Sequence, residues 1–351
     1  MQRRTLIKTA AAVAVLGPAA RAGASASARV KPVIACGDAV VWKTMVPTLP
    51  GAPALNGHTD TVPDVVGRLG SPISLAIFTE GNHFPALLGG EIIEPFRIWA
   101  KSQPQYAPLG LDNIVIVTLP QPMIVGMILE GGVSFGNLTL EVSRASGFYP
   151  DIVMGGPGPL VRLRKASVVE AEARIFARNR GPSLLVAAGN PFGVQGVEDL
   201  ARSGIRVVMA SETEPGARRQ YIDALNALVG KEAARSILAH ETVTFPGRLG
   251  IQHRDVLQAI TSRCADAGII FHHLARYFAA TYPQLCQMVT VSEAEKFSST
   301  IAMTSAVDPL RGQAAKAFSD FFFSIAREVY PRYGFASIGE AEFGQTIRLE
   351  K

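Results

Sequence analysis

The sequence predicts an α/β protein in which strands alternate with helices, and three observations lead there. Short β-branched runs recur from Ile73 onward: Ile73–Phe78, Ile114–Thr118, Asp151–Met154, Ser183–Ala187, Arg206–Met209, Val243–Phe245, Ala267–Ile270, Met288–Val291 and Thr300–Met303. Amphipathic stretches lie between most of them, among them "VEDLARSG" (197–204), "ARRQYIDALNALVG" (217–230) and "HRDVLQAITSRCADAG" (253–268). The 351 residues are 48% hydrophobic and 18% charged, the balance of a compact chain with a sizeable core. Such alternation predicts parallel sheets covered on both faces, with ligands held outside the carboxyl ends of the strands.

The elements follow in order. "MQRRTLIKTAAAVAVLGPAARAGASA" carries Arg3-Arg4, a modest apolar stretch from Ala10 to Leu16, and small residues at Ala24-Ser25-Ala26. This is the pattern of an export signal over 1–26 of the twin-arginine type, and it predicts a periplasmic protein. The segment holds four basic residues and no acidic ones, so the formal charge of +5 is mostly its own. No basic stripe with interleaved aromatics argues for nucleic acid. From Ala28 to Pro72 the chain is Pro- and Gly-rich and reads as an irregular arm with one short strand, "PVIAC" (32–36). The Phe321-Phe322-Phe323 run reads as core packing of a closing helix. Of the three cysteines, Cys264 and Cys286 flank one helix; a disulfide and two buried thiols stand equally open.

Several strands end in small or polar residues suited to close backbone approach. "LAIFTEGN" ends in Gly81-Asn82, "DIVMGGPGP" runs through Gly155-Gly156, Ser211 precedes a helix start at Pro215-Gly216, and "AGIIFHH" ends in His272-His273. No phosphate loop, dinucleotide fingerprint, nucleophile elbow or zincin motif is present, so no cofactor and no chemistry on a substrate are expected.

The segments "LAIFTEGNHFPALLGGEIIEPF" (75–96), "YPDIVMGG" (149–156), "IRVVMASETEPGARRQYIDAL" (205–225), "VLQAITSRCADAGIIF" (256–271) and "AAKAFSDFFFSIAREVYPRYGF" (314–335) together resemble the molybdate/tungstate-type solute-binding proteins of ABC importers. The resemblance implies the type II periplasmic-binding-protein fold: two lobes, each a doubly wound sheet, joined by a two-crossing hinge. Lobe 1 would take 29–186 plus 297–351, including the arm, and lobe 2 would take 187–296. The crossings would fall near Ala187–Asn190 and Glu295–Ser299. A monomer is expected, holding a small inorganic oxyanion in the interlobe cleft and delivering it to an ABC permease in the inner membrane. Such sites surround the anion with neutral donors and helix N-termini. The implied ligand-binding residues are Thr79, Gly81, Asn82, Gly155, Gly156, Ser211, Pro215, Gly216, His253, Phe271 and His272.

The chain departs from that family at Asn82, where serine is common, at Phe271, where tyrosine is common, and at His253, a position usually small and apolar. Glu80, Glu212 and Glu214 fall beside the expected cleft, where carboxylates oppose an anion. Three readings of the histidines stand open. They donate to the oxyanion; or His83, His253 and His272 ligate a transition metal; or they are polar helix starts. A sensor subunit or an enzyme on the same fold is the further alternative.

Overall fold

The computed structural model describes residues 55–56, 63–135, 138–244 and 250–350. The export segment, the strand expected at 32–36 and Cys36 lie outside these residues. The strands, in chain order, are β1 (Leu55–Asn56), β2 (Pro63–Val66), β3 (Leu75–Glu80), β4 (Ile114–Leu119), β5 (Gly132–Phe135), β6 (Leu138–Glu141), β7 (Ile152–Gly155), β8 (Glu172–Asn179), β9 (Pro182–Ala187), β10 (Val207–Val208), β11 (Ala267–Phe271), β12 (Cys286–Val289), β13 (Ser299–Ser305) and β14 (Thr346–Arg348). The helices are α1 (Phe84–Leu88), α2 (Ile93–Ser102), α3 (Gln121–Glu130), α4 (Pro157–Lys165), α5 (Pro215–Ala239), α6 (His253–Thr261), α7 (His272–Thr281) and α8 (Gly312–Arg332).

Two main sheets result. Lobe 1 is built on eight strands in the order β1-β2-β4-β3-β7-β13-β8-β14, and lobe 2 on four in the order β10-β11-β9-β12. Strand β3 shows why the lobe 1 sheet is buried on both sides. Its residues alternate between two cores: Leu75 and Ile77 face one, Ala76 and Phe78 the other. That is the two-residue period of a strand covered on both faces. In lobe 2, Leu184, Val186 and Ile269 pack on the side of α5, while Leu185 and Ile270 pack on the side of α6 and α7.

One apolar core runs through both lobes. The Phe84 ring meets Tyr277 edge-on at 4.8 Å between centroids, and His273 stacks on Phe335 at 4.0 Å. The interlobe contact is therefore partly hydrophobic. Helix α5 changes direction at Gly230, whose φ of +81° and ψ of 160° are open to glycine and costly for any other residue. Helix α8 buries Phe318, Phe321 and Phe322 against lobe 1, while Arg174 lies over the face of Phe323 at 3.6 Å.

Four expectations need correction. The sheets are mixed: β3–β4, β3–β7 and β10–β11 pair in parallel, but β13, β8, β9 and β12 pair antiparallel. The first crossing between lobes lies at Arg180–Gly181, because Pro182–Ala187 already pairs within the lobe 2 sheet. The second crossing lies between Val289 and Ser299. Part of the arm is sheet, since Pro63–Val66 adds an antiparallel strand beside β4. The run 243–245 forms no strand among its described residues; Glu241 bridges Val207 just before it. Cys264 and Cys286 are free thiols, and burial pushes that of Cys286 up to about 12.

Candidate functional site

Between the lobes lies a narrow crevice lined by Gly81, Asn82 and Pro120 from lobe 1 and by Glu214, Gln252, His253 and Arg254 from lobe 2. Its free volume is about 10 Å³, room for about one water. A larger guest enters only as the lobes part.

The lobe 2 wall begins at the N-terminus of α6. Gln252 and Asp255 form a reciprocal capping box there: the Gln252 N–H donates to Asp255 Oδ2 at 2.8 Å, and the Gln252 side chain caps the third helical residue. The carboxylate of Glu214 completes the cap. Its Oε1 accepts the His253 backbone N–H at 3.0 Å, and its Oε2 lies 2.7 Å from His253 Nδ1. His253 Nδ1 donates to Glu214, and its Nε2 lies 2.6 Å from the Tyr221 hydroxyl. The Tyr221 oxygen accepts the Phe271 N–H at 3.0 Å, which satisfies the whole buried chain. Burial pushes the Glu214 carboxyl up, but the charge and hydrogen bonds of His253, with Arg254 beside it, hold it below the ordinary carboxylate range.

The lobe 1 wall is the end of β3 and the turn after it. Asn82 donates from Nδ2 to Glu80 Oε1 at 2.6 Å. Burial raises the Glu80 carboxyl to about 7; His253 pulls it back down and Glu214 adds to the rise. Arg254 joins the lobes. Its Nη2 donates to Thr118 Oγ1 at 3.0 Å and to the Thr118 carbonyl oxygen, and its guanidinium lies 5.7 Å from the Phe84 ring centroid. A side chain at Gly81 would stand 3.1 Å from that guanidinium, so glycine admits the arginine.

The structure brings three of the expected residues, Gly81, Asn82 and His253, to the crevice. Thr79 is fully buried, with Oγ1 3.1 Å from His83 Nδ1. Gly155 and Gly156 lie under the Gln121 side chain. Ser211 ties two loops together: its N–H donates to the Ile251 carbonyl at 2.8 Å, and its Oγ accepts the Ile251 N–H at 3.0 Å. Pro215 and Gly216 are an exposed helix start. Phe271 stacks beneath His253 at 5.1 Å rather than lining the crevice. His272 sits at the first crossing, 3.0 Å from Ser183 Oγ and 3.4 Å from Arg180, and its N–H donates to the Gly181 carbonyl. Gln252, Arg254 and Pro120 were not expected; the sequence signal for the first two is the Gln-x-x-Asp capping pattern in "QHRD".

The three histidines of the metal reading are each engaged by separate neighbours. His83 sits among Phe176, Tyr330 and Phe335, His253 is held by Glu214 and Tyr221, and His272 is held by Ser183. Among the described residues, no group of three or more His, Cys, Asp or Glu side chains is arranged to hold a metal ion.

These buried histidines carry a pH consequence. Burial lowers His83 to about 3, burial with the neighbouring Arg180 and Arg276 lowers His272 to about 4, and burial holds His273 well below its ordinary value. Unfolded histidine titrates near 6.5, so between about 6.5 and about 4 these three histidines bind more protons in the unfolded chain than in the folded one, while Glu80, raised to about 7, opposes them. The histidines' contribution to stability is therefore full above about 6.5 and declines as the pH falls toward 4. Urea unfolding across that range checks this, with His272→Gln expected to flatten part of the decline.

A buried crevice between two α/β lobes joined by two crossings defines a binding protein that closes on its guest. A family model described as bacterial extracellular solute-binding protein matches residues 131–336, and the chain belongs to that family. Among solved structures it is similar to the sulfate-binding protein SubI from Mycobacterium tuberculosis H37Rv, at 17% identity and a TM-score of 0.54, over 77% of this chain and 88% of that one. It is also similar to iron-bound HitA from Pseudomonas aeruginosa, at 13% identity and a TM-score of 0.50, over 78% of this chain and 89% of that one. Both likenesses are of fold. No curated protein matches the chain.

Proposed function

We propose that this solute-binding protein is exported to the periplasm, captures a small oxyanion in the interlobe crevice and delivers it to an ABC permease. The observation that carries the reading is the crevice itself. Both lobes contribute to it, it is narrow, and its wall includes the Arg254 guanidinium beside the Gln252 amide and the Gly81–Asn82 turn. A guanidinium with flanking amides matches the oxygens of a tetrahedral anion. The class of binding protein and the export segment support a carrier that does no chemistry on its ligand.

Isothermal titration of the mature protein with molybdate, tungstate, sulfate and phosphate tests the reading. Saturable heat with at least one of them is expected, and it should disappear when the lobe 2 wall is altered by Arg254→Met. Absence of heat with all four overturns the oxyanion assignment.

A further inference from the structure

We propose that His273 couples the parting of the lobes to proton uptake: its imidazole stays neutral while the lobes are shut and takes a proton once they part, so acid favours the open form. The inference holds for any solute on which the crevice closes.

The geometry singles out this histidine. His273 is the second residue of α7, in lobe 2, and is wholly buried. Its ring lies between two phenylalanine rings, one from each lobe. It stacks on Phe335 at 4.0 Å and 17° and on Phe271 at 5.7 Å and 14°. Phe335 is anchored in lobe 1, because the next residue, Ala336, donates its N–H to the Arg178 carbonyl of β8 at 3.0 Å. At Gly334, whose φ is +92°, an added side chain would stand 3.1 Å from the His273 Cα, so the lobe 1 chain lies directly against the start of α7. Among the described residues, neither ring nitrogen of His273 makes a hydrogen bond of sound geometry. A charged imidazole in that sandwich has no solvation to replace water, whereas an exposed one does. The other buried histidines are held within their own lobes: His83 by Thr79, His253 by Glu214 and Tyr221, and His272 by Ser183. Parting the lobes withdraws Phe335 and uncovers His273.

The titratable and charged groups around it are His272 and Arg276 on α7, His253 and Arg254 on α6 with Glu214 beside them, His83 and Glu80 at the end of β3, and Tyr330 on α8. Burial first, then His83, His253 and His272, hold His273 well below its ordinary range, and the Asn82 backbone acts the other way. Glu80, raised to about 7, titrates in the opposite sense, since exposure on opening would release its proton.

Small-angle scattering of the ligand-free mature protein at about pH 7.5 and about pH 5.5 tests the coupling, with opening read as a larger radius of gyration. An imidazole that regains a pKa near 6.5 on exposure shifts the open-to-closed ratio about tenfold toward open over that step. His273→Phe keeps a ring between Phe271 and Phe335 and removes the titration. Glu80 and the other histidines titrate in both proteins, so acid should open the wild type about tenfold more than it opens His273→Phe. Where His273→Phe does not fold, Glu80→Gln serves: it removes the opposing group, and its radius should rise on acidification. Equal responses in the wild type and folded His273→Phe overturn the proposal, as does a Glu80→Gln radius that does not rise. Absence of calorimetric heat with the four oxyanions overturns the reading above and leaves this one standing.

Discussion

Replacing Asp151 by alanine is expected to lower the unfolding free energy by about 3–5 kcal/mol, the cost of breaking a buried ion pair from one side. Asp151 is fully buried at the start of β7. Its Oδ2 accepts the Ala76 N–H of the neighbouring strand at 2.8 Å and Arg311 Nε at 2.5 Å, and its Oδ1 accepts the Arg311 N–H at 3.0 Å. The other guanidinium nitrogens of Arg311 donate to the carbonyls of Gly147 and Tyr149, at 2.8 and 2.7 Å. One carboxylate thus fastens β3, the loop before β7 and the turn leading into α8. Alanine would leave a strand N–H without its acceptor and a poorly solvated guanidinium without its counter-charge. The midpoint of urea unfolding should fall sharply in Asp151→Ala. It should recover in part when Arg311→Met is added, because the stranded charge is then gone. A single variant within about 1 kcal/mol of wild type would show that the pair organises the chain without stabilising it.

That junction also marks what a sequence can and cannot disclose. The apolar runs around Leu75, Ile114, Ile152, Pro182, Ala267 and Ser299 are visible because strands buried on both faces leave dense aliphatic text. Strand direction leaves no such trace, so antiparallel β9, β12 and β13 fall under a parallel expectation, and no strand is expected at β8 at all. Strand β8, "EARIFARN", is harder still: its exposed Glu172 and Arg174 interrupt the apolar pattern. The crossing at Arg180–Gly181 is signalled only by one glycine with a φ of +85° beside a proline. At the crevice, Asn82 and His253 were legible as polar residues at strand or helix ends. Arg254 was not, because an arginine in the first turn of a helix ordinarily points to water. Only the meeting of α6 with β4 makes it an interlobe residue, and that meeting depends on contacts far apart in the chain.

Arg254 is where the second large effect is expected. Arg254→Met keeps much of the volume of the side chain and its contact with Phe84, but removes the donors to Thr118 and the positive charge beside Glu214. Two consequences should appear together. Oxyanion affinity should fall by about 100-fold or more, since losing a buried, hydrogen-bonded charge costs about 2–5 kcal/mol at an interface. The lobes should also part more readily, because the Thr118 bonds and the ring contact join β4 and α1 of lobe 1 to α6 of lobe 2. Titration calorimetry reads the first consequence, and the radius of gyration in small-angle scattering reads the second. Arg254→Lys should restore charge without the planar fork and recover only part of the affinity. Wild-type affinity in Arg254→Met would place the anion elsewhere. Unchanged affinity with a larger radius would make Arg254 a latch between the lobes and not a ligand of the anion.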